Sequence, residues 1–227
     1  MKLSIIIPVY NERNTVEKIV SQIRAVAVEK ELLLVDDGST DGTREVIRRV
    51  FSGQPDIKAI FHEINQGKGA AVRSGIGAAT GEAIIIQDAD LEYDPADYLV
   101  LLKALDEPGV NIVYGSRFLN HAKVTPHWHW FINYFLTLLT NLLFFSSLTD
   151  METCYKLYRA KVLKNLGLVS NGFEIEVELT AKTLRRGEKI VEVPISYKGR
   201  SFHEGKKIGW RDGVKAVFML FRYRCLP

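Results

Sequence analysis

Short apolar runs alternate with segments of helical period through the first half of the chain, and that alternation restricts the fold to a parallel sheet covered by helices. KLSIIIPVY and ELLLVDD read as buried strands, and the segment TVEKIVSQIRAVA between them places Val16, Ile19, Val20, Ile23 and Val26 at helical spacing. The unit recurs through TREVIRRVF, IKAIFHE, GKGAAVRSGIGAAT and EAIIIQDAD, so four strands alternate with helices up to about residue 115. This predicts a Rossmann-like α/β wind, and 227 residues suit a single domain with one core.

In such sheets the ligand sits beyond the carboxyl ends of the strands. The polar clusters YNE, DDGSTD, NQGKG and QDAD follow the predicted strands in turn and converge on that rim. No G-x-G-x-x-G follows the first strand and no G-x-x-x-x-G-K-[ST] occurs, which removes a nicotinamide fingerprint and a P-loop. GKG at 67–69 makes Lys68 a candidate for a phosphate, although Gly at a helix start is often only a turn. In DDGSTDG, Asp41 or Ser39 is expected to cap the next helix. Capping does not account for Asp36 and Asp37, whose side chains point in opposite directions at a strand end, so one is expected to accept hydrogen bonds from a nucleobase or ribose.

Asp88, Asp90, Glu92 and Asp94 occupy every second position. On an extended segment they would face one way, and like charges that close repel unless a cation lies between them. A hard divalent ion bound through carboxylates, substrate phosphates and water fits best; a solvated acidic loop is the alternative. Asp94 precedes Pro95 and is also placed to start a helix.

Charge is uneven. Residues 196–227 carry eight Lys or Arg against Glu204 and Asp212, a local +6, and the whole-chain value of +3 leaves −3 on residues 1–195. The basic end invites an anionic partner, but no nucleic-acid reader motif accompanies it. Cys154 and Cys225 supply no disulfide framework and no metal-ligand spacing. MKLSIIIPVYNE is too short and too soon polar for a signal peptide, so a cytoplasmic location is expected.

From Trp128 to Thr149 there is no Asp, Glu, Lys or Arg. About 20 residues could span a bilayer, but Asn133, Thr137, Thr140, Asn141, Ser146 and Ser147 interrupt the stretch. A helix lying at the membrane interface is the reading here; burial in the core or at a homo-oligomer interface is the alternative. GVKAVFMLFRYRCLP interleaves Arg and Lys with Phe, Met, Leu and Tyr, as a basic amphipathic helix on an anionic leaflet would. Peripheral membrane association follows.

IIPVYNE, LVDDGSTDGT, NQGKGAAVRSG, QDADLEYDP and YGSRF, in this order and spacing, resemble the family 2 glycosyltransferases of the GT-A fold. The pattern is nearest to the polyprenyl-phosphate, or dolichyl-phosphate, mannose and glucose synthases. TDMETCYKLYR, GFEIEVELTAK and VPISYKGRSFHEGKKIGWRDG extend the likeness over nearly the whole chain. The resemblance implies a nucleotide-sugar half at 1–118 and an acceptor-binding, membrane-facing half at 119–227 within the single domain. It further implies that Pro8, Tyr10, Glu12, Val35 and Asp37 hold the nucleoside, with Asp88 and Ala89 beside it. By the same resemblance Asp90 binds Mg²⁺ or Mn²⁺, and Glu92, where Gln is common, shares that work. Arg117, Arg200 and Lys206 match basic positions on the acceptor phosphate, Lys182 is a further candidate, and Asp150 and Glu174 are candidates to assist, with helix capping the alternative for Asp150. The implied reaction is inverting transfer of a hexose from a GDP-mannose or UDP-glucose type donor to a polyprenyl monophosphate. The alternatives are transfer to a saccharide or protein hydroxyl, for which no secure general base is visible, and a module that binds nucleotide sugar or membrane without turnover.

Overall fold

The computed structural model describes residues 1–119, 127–199 and 210–225. Its centre is a seven-stranded sheet made of β1 (Leu3–Val9), β2 (Lys30–Asp37), β3 (Ile57–His62), β4 (Ala83–Ile86), β5 (Ile112–Ser116), β6 (Lys156–Arg159) and β7 (Ile190–Pro194), in the order β3-β2-β1-β4-β6-β5-β7. The helices are α1 (Val16–Ala25), α2 (Thr43–Phe51), α3 (Lys68–Ala78), α4 (Tyr98–Leu105), α5 (His127–Phe144), α6 (Ala160–Lys164), α7 (Ile175–Arg185) and α8 (Trp210–Cys225). The wind β1-α1-β2-α2-β3-α3-β4 is parallel as the alternation predicts, with Ile5 beside Leu32 and beside Ile85 in the central strands.

Burial explains why these runs are so apolar. Leu3, Ile5, Ile6 and Ile7 of β1, Leu32 and Leu34 of β2 and Ile84 to Ile86 of β4 are fully buried, each contributing roughly 1.5–3 kcal/mol of transfer free energy. Helix α1 meets this sheet through Val16, Ile19, Val20 and Ile23, the stripe read from its spacing, and it ends at Ala25.

The sequence pattern did not reveal β6. It is antiparallel to both neighbours, with Ile85 facing Leu157 on one side and Tyr114 facing Lys156 on the other. Running against the parallel strands, it begins where they end. Residues 150–156 are therefore delivered to the rim on which the polar loops of the parallel half converge.

Helices α5, α7 and α8 pack on one another around Leu136, Met151, Val177, Ala216 and Leu220, a second small core beside the sheet. The polar residues that interrupt α5 are the ones that dock it. Asn133, Leu136, Thr137 and Thr140 form its buried stripe. Asn133 Nδ2 donates to Asp150 Oδ1 at 3.2 Å, Thr137 Oγ1 accepts from the Met151 amide at 3.1 Å, and Asn141 Oδ1 accepts from Ser146 and from the Leu148 amide. The expectation of an interfacial helix over 128–149 is thus modified: one face of α5 is core, and only the other face, with Phe131, Tyr134, Phe135, Leu138 and Leu142, is exposed. Among the described residues no helix is long and apolar enough to cross a membrane.

Candidate active site

The loops after β1 and β2 lock together. Ser39 Oγ accepts from the Asn11 amide at 2.9 Å, Asn11 Oδ1 accepts from the Thr40 amide at 2.8 Å, and Thr43 Oγ1 accepts from the Glu12 amide at 3.0 Å. Asn11 takes φ 53°, a left-handed conformation that Asn tolerates better than most residues. Asp41 Oδ1 accepts from the Thr43 amide at 3.0 Å and so meets the start of α2, as expected, although Gly42 is the formal cap. Ser39 instead holds the other loop. Pro8 and Val35 lie side by side across the β1–β2 pairing, Pro8 and Tyr10 are half-buried and Val35 is fully buried.

The two acids that end β2 both have partners within the protein. Asp36 pairs with Arg44 at 2.7 Å and accepts from the Ser39 amide. Asp37 is 2% exposed; its Oδ1 accepts from His62 at 2.7 Å and from the Gln66 amide at 3.0 Å, and its Oδ2 from the Gly67 amide at 2.7 Å. Three bonds fill most of the roughly four lone-pair sites of a carboxylate. Asp37 thus shapes the loop before α3, and the His62 ring that it holds goes on to Ser74 at 2.9 Å.

That loop is built around Gly67, at φ 100°, where a Cβ would run into the carbonyl of Asn171; a Cβ on Gly69 would strike the carbonyl of Ser170. The glycines let the N-terminus of α3 lie against residues 170–172, and Ala70 N donates to Asn171 O at 3.1 Å. Lys68 is thereby turned inward. Its Nζ lies 2.8 Å from Asp88 and 3.0 Å from Glu176, so in this state it answers carboxylates rather than standing open for a phosphate. Burial works against its charge, but Asp88 and Glu176 outweigh burial and hold the ammonium well above its ordinary pKa.

The acids after β4 do not lie on an extended segment. The strand ends at Ile86 and the chain turns, with Leu91 at φ 65°. Asp88 goes to Lys68, Asp90 Oδ1 accepts from the Glu92 amide at 3.2 Å, Glu92 Oε2 accepts from Tyr197 at 2.7 Å, and Asp94 Oδ1 accepts from the Ala96 amide at 3.0 Å. Repulsion is avoided by giving each carboxylate its own partner, and Asp94 starts a short 3₁₀ turn at Pro95–Asp97, as the alternative for it predicted. Ala89 is buried between Asp88 and Asp90.

Asp90 and Glu92 are both half-buried, and each offers only hard oxygen donors. They fit a Mg²⁺ or Mn²⁺ ion on that chemistry. Among the described residues no group of three or more His, Cys, Asp or Glu side chains gathers for a metal, so phosphate and water oxygens would have to complete the shell.

On the other side of the site, Arg117 is buried and grips Asp150 with Nε to Oδ2 and Nη2 to Oδ1, both at 2.7 Å, under the ring of Tyr197 at 5.1 Å. The expectation of helix capping by Asp150 is replaced by this pair. Glu192 of β7 in turn accepts from the Thr149 amide at 2.8 Å and the Asp150 amide at 3.0 Å. Phe118 and Thr149, the chain neighbours of Arg117 and Asp150, line a largely apolar cavity of about 360 Å³ with Tyr134, Thr137, Leu138 and Leu148.

Other assignments shift as well. Lys182 pairs with Glu178 at 2.7 Å one turn back on α7 and stacks on Tyr223, which makes it a helix-packing residue rather than a phosphate ligand. Glu174 accepts from the Gly172 amide at 3.1 Å at the start of α7. Arg200 and Lys206 lie outside the described residues; the chain leading to them is held by the Lys198 amide, which donates to Glu92 O at 2.8 Å.

Reasoning from sequence passed over Glu152, Lys156 and Glu176. Lys156 is fully buried and bonds Thr153 O at 2.7 Å and the Glu176 carboxylate, joining β6 to the Lys68–Asp88 pair. For Lys156 and Glu176, a charged residue inside otherwise core-like β6 and α7 was the available signal.

The family model described as "Glycosyl transferase family 2" matches residues 4–167. The polyprenol monophosphomannose synthase of Mycolicibacterium smegmatis is 30% identical over 215 residues, covering 90% of this chain and 80% of that protein. The undecaprenyl-phosphate mannosyltransferase of Micrococcus luteus is 30% identical over 225 residues, covering 96% and 92%. Among solved structures, the glucosyl-3-phosphoglycerate synthase of Mycobacterium tuberculosis, crystallised with Mn²⁺, uridine diphosphate and phosphoglyceric acid, superposes with a TM-score of 0.75 over 100% of this chain and 79% of that one, at 19% identity.

Proposed function

The chain belongs to glycosyl transferase family 2, and from that membership we propose that it moves a hexose from a nucleotide sugar to a polyprenyl or dolichyl monophosphate, with inversion at C1. The relatives named above carry mannose to lipid phosphates of this kind. The observation that carries the acceptor class is the buried Arg117–Asp150 pair with its chain neighbours Phe118 and Thr149 in the wall of the apolar cavity. A cation next to an apolar slot matches a phosphate joined to a hydrocarbon chain. A saccharide hydroxyl would instead need a general base.

The chemistry follows from charge. A lipid monophosphate, with a second pKa near ~6, reaches neutral pH already anionic and attacks C1 without a strong base. Two anions must then be held together. Arg117, with Arg200 and Lys206, screens that repulsion and aims the nucleophile, a charge-assisted contact that adds orientation to binding. Pro8, Tyr10, Val35 and Ala89 wall the nucleoside, and Asp37 serves it by holding Gln66 and Gly67. Glu12, whose Oε2 accepts from Thr15 at 2.7 Å, fixes the first loop. A Mg²⁺ or Mn²⁺ ion held by Asp90 and Glu92 would neutralise the charge that develops on the leaving diphosphate.

Membrane association belongs to the same reading. Helix α5 packs against α8, and beside the exposed apolar face of α5 the second helix leaves Val214, Phe218 and Phe221 exposed, with Lys215, Arg222 and Arg224 exposed on the same helix. Apolar side chains interleaved with cations suit the headgroup region of an anionic bilayer.

The test is direct: incubate the protein with Mn²⁺ or Mg²⁺, GDP-mannose or UDP-glucose, and a short polyprenyl phosphate, and identify the lipid product by mass. A glycosylated lipid phosphate is expected; product on a free saccharide alone would move the acceptor class to hydroxyls.

A further inference from the structure

Three buried side-chain oxygens beside the site have no hydrogen-bond partner among the described residues: Glu152 Oε1, Thr153 Oγ1 and Glu176 Oε1. Thr153 is fully buried and Glu176 is 5% exposed. Glu176 Oε1 has Lys68 Nζ at 3.0 Å, an ionic neighbour that is out of line for a hydrogen bond. Leaving a buried acceptor unmet costs about 1–3 kcal/mol, and buried polar groups in folded proteins are nearly always satisfied. Three in one place call for a partner.

Their position says what partner. Residues 150–156 run from the Arg117–Asp150 pair to the Lys68–Asp88 pair, along the start of β6. Lys156 and Glu176, together with Arg117 and Asp150, act electrostatically on Glu152. The wall therefore lies between Asp88, assigned beside the nucleoside, and Arg117, assigned to the acceptor phosphate. The group in transit has to pass there. A phosphate is a poor occupant of a wall with two acidic side chains, whereas a neutral ligand with several hydroxyls can donate to their oxygens and exchange a hydrogen bond with the Thr153 hydroxyl.

We propose that Glu152, Thr153 and Glu176 form the subsite that reads the hydroxyls of the transferred sugar, Glu152 and Glu176 accepting from sugar O–H groups and Thr153 exchanging one hydrogen bond with a third. The proposal rests on the glycosyl-transfer reading and adds to it the residues that select the hexose. A site built to bond a hydroxyl rejects the analogue lacking it far more strongly than an apolar pocket does. Selection among hexoses at this wall is accordingly a matter of which hydroxyl meets which oxygen.

The experiment compares Glu152→Gln and Thr153→Val with the unaltered protein by calorimetric titration of GDP-mannose, UDP-glucose, the free diphosphates GDP and UDP, and donors lacking one sugar hydroxyl at a time. Affinity for the free diphosphate is expected to stay within twofold, while affinity for the matching sugar nucleotide falls by about tenfold. The donor lacking the hydroxyl that Glu152 reads should bind the unaltered protein about tenfold more weakly, with little further loss in Glu152→Gln. Equal losses for diphosphate and sugar nucleotide, or deoxy donors that bind the unaltered protein as tightly as the parents, overturn the subsite while leaving glycosyl transfer standing. If a variant fails to fold, the deoxy series on the unaltered protein decides alone. An unaltered protein that binds no nucleotide sugar overturns this proposal together with the reading beneath it.

Discussion

Arg117 and Asp150 meet through two side-chain contacts of 2.7 Å, and the Arg117 amide adds a third hydrogen bond to the same carboxylate at 3.0 Å. The pair joins the end of β5 to the chain that returns from α5, so it sets both the cation of the site and the path of residues 150–156. Asp150→Ala leaves Arg117 buried without its counter-charge, and the expected loss is about 3–5 kcal/mol of stability. Chemical denaturation measures it; a change below about 1 kcal/mol would mean that water reaches Arg117 and that the pair behaves as a surface one.

Asp90→Asn separates fold from chemistry. The asparagine carbonyl can still accept from the Glu92 amide, as Asp90 Oδ1 does at 3.2 Å, so the turn at Leu91 and the melting temperature should be kept. Transfer should fall by several kcal/mol of transition-state stabilisation, because the charge on the leaving diphosphate loses its counterion. Near wild-type turnover at saturating Mn²⁺ would remove Asp90 from the metal site.

The parallel half was legible because each strand carries its own apolar run and each helix its own stripe, as in α1. The second half was less so. β6 is four residues long and includes the buried Lys156, so no apolar run announced it. Within the site, spacing located the acids after β4 but misjudged their direction, because Leu91 at φ 65° breaks the extended geometry on which alternation depends. Asp37 was read as a ligand for a nucleoside, and nothing in DDGSTDG reveals that Gln66 and Gly67 also donate to it. The polar residues of α5 were counted as interruptions of a membrane-facing helix; they are its docking face.

Gly67→Ala tests the closeness of α3 to the 170–172 loop. At φ 100° the added methyl is strained and also collides with the Asn171 carbonyl, a combined cost of about 1–3 kcal/mol or more. Lys68, the next residue, would be displaced from Asp88 and Glu176. Melting temperature and donor binding should fall together; an unchanged melting temperature would contradict the placement of this loop.

Phe218→Ser probes the membrane face without touching the core, because Phe218 is 66% exposed on α8 while Ala216 and Leu220 face inward. Binding of the unaltered protein to anionic vesicles in a sedimentation assay should weaken as salt rises. The variant should bind less at every salt concentration while melting as before. Vesicle binding that is absent at low salt in the folded protein would assign these faces to another copy of the chain.

Glu152 gives the protein a pH-dependent stability of predictable sign. Burial pushes its carboxyl up from 4.5 to about 7, with Glu176 and Asp150 adding to the shift and Lys156 and Arg117 opposing it. The native state therefore keeps the proton over a range in which the unfolded chain has lost it. The resulting stabilisation is full below about pH 4.5 and is lost as pH rises through about 7. At 1.36 kcal/mol per pH unit the span is at most about 3 kcal/mol, less to the extent that water reaches the half-buried carboxyl. Glu152→Gln cannot titrate, so the stability difference between wild type and variant should shift in favour of the variant between pH 4.5 and pH 7.5. Urea denaturation of both proteins across that range reads the difference directly, and parallel curves would place the Glu152 carboxylate in contact with solvent or with a cation that holds it ionised.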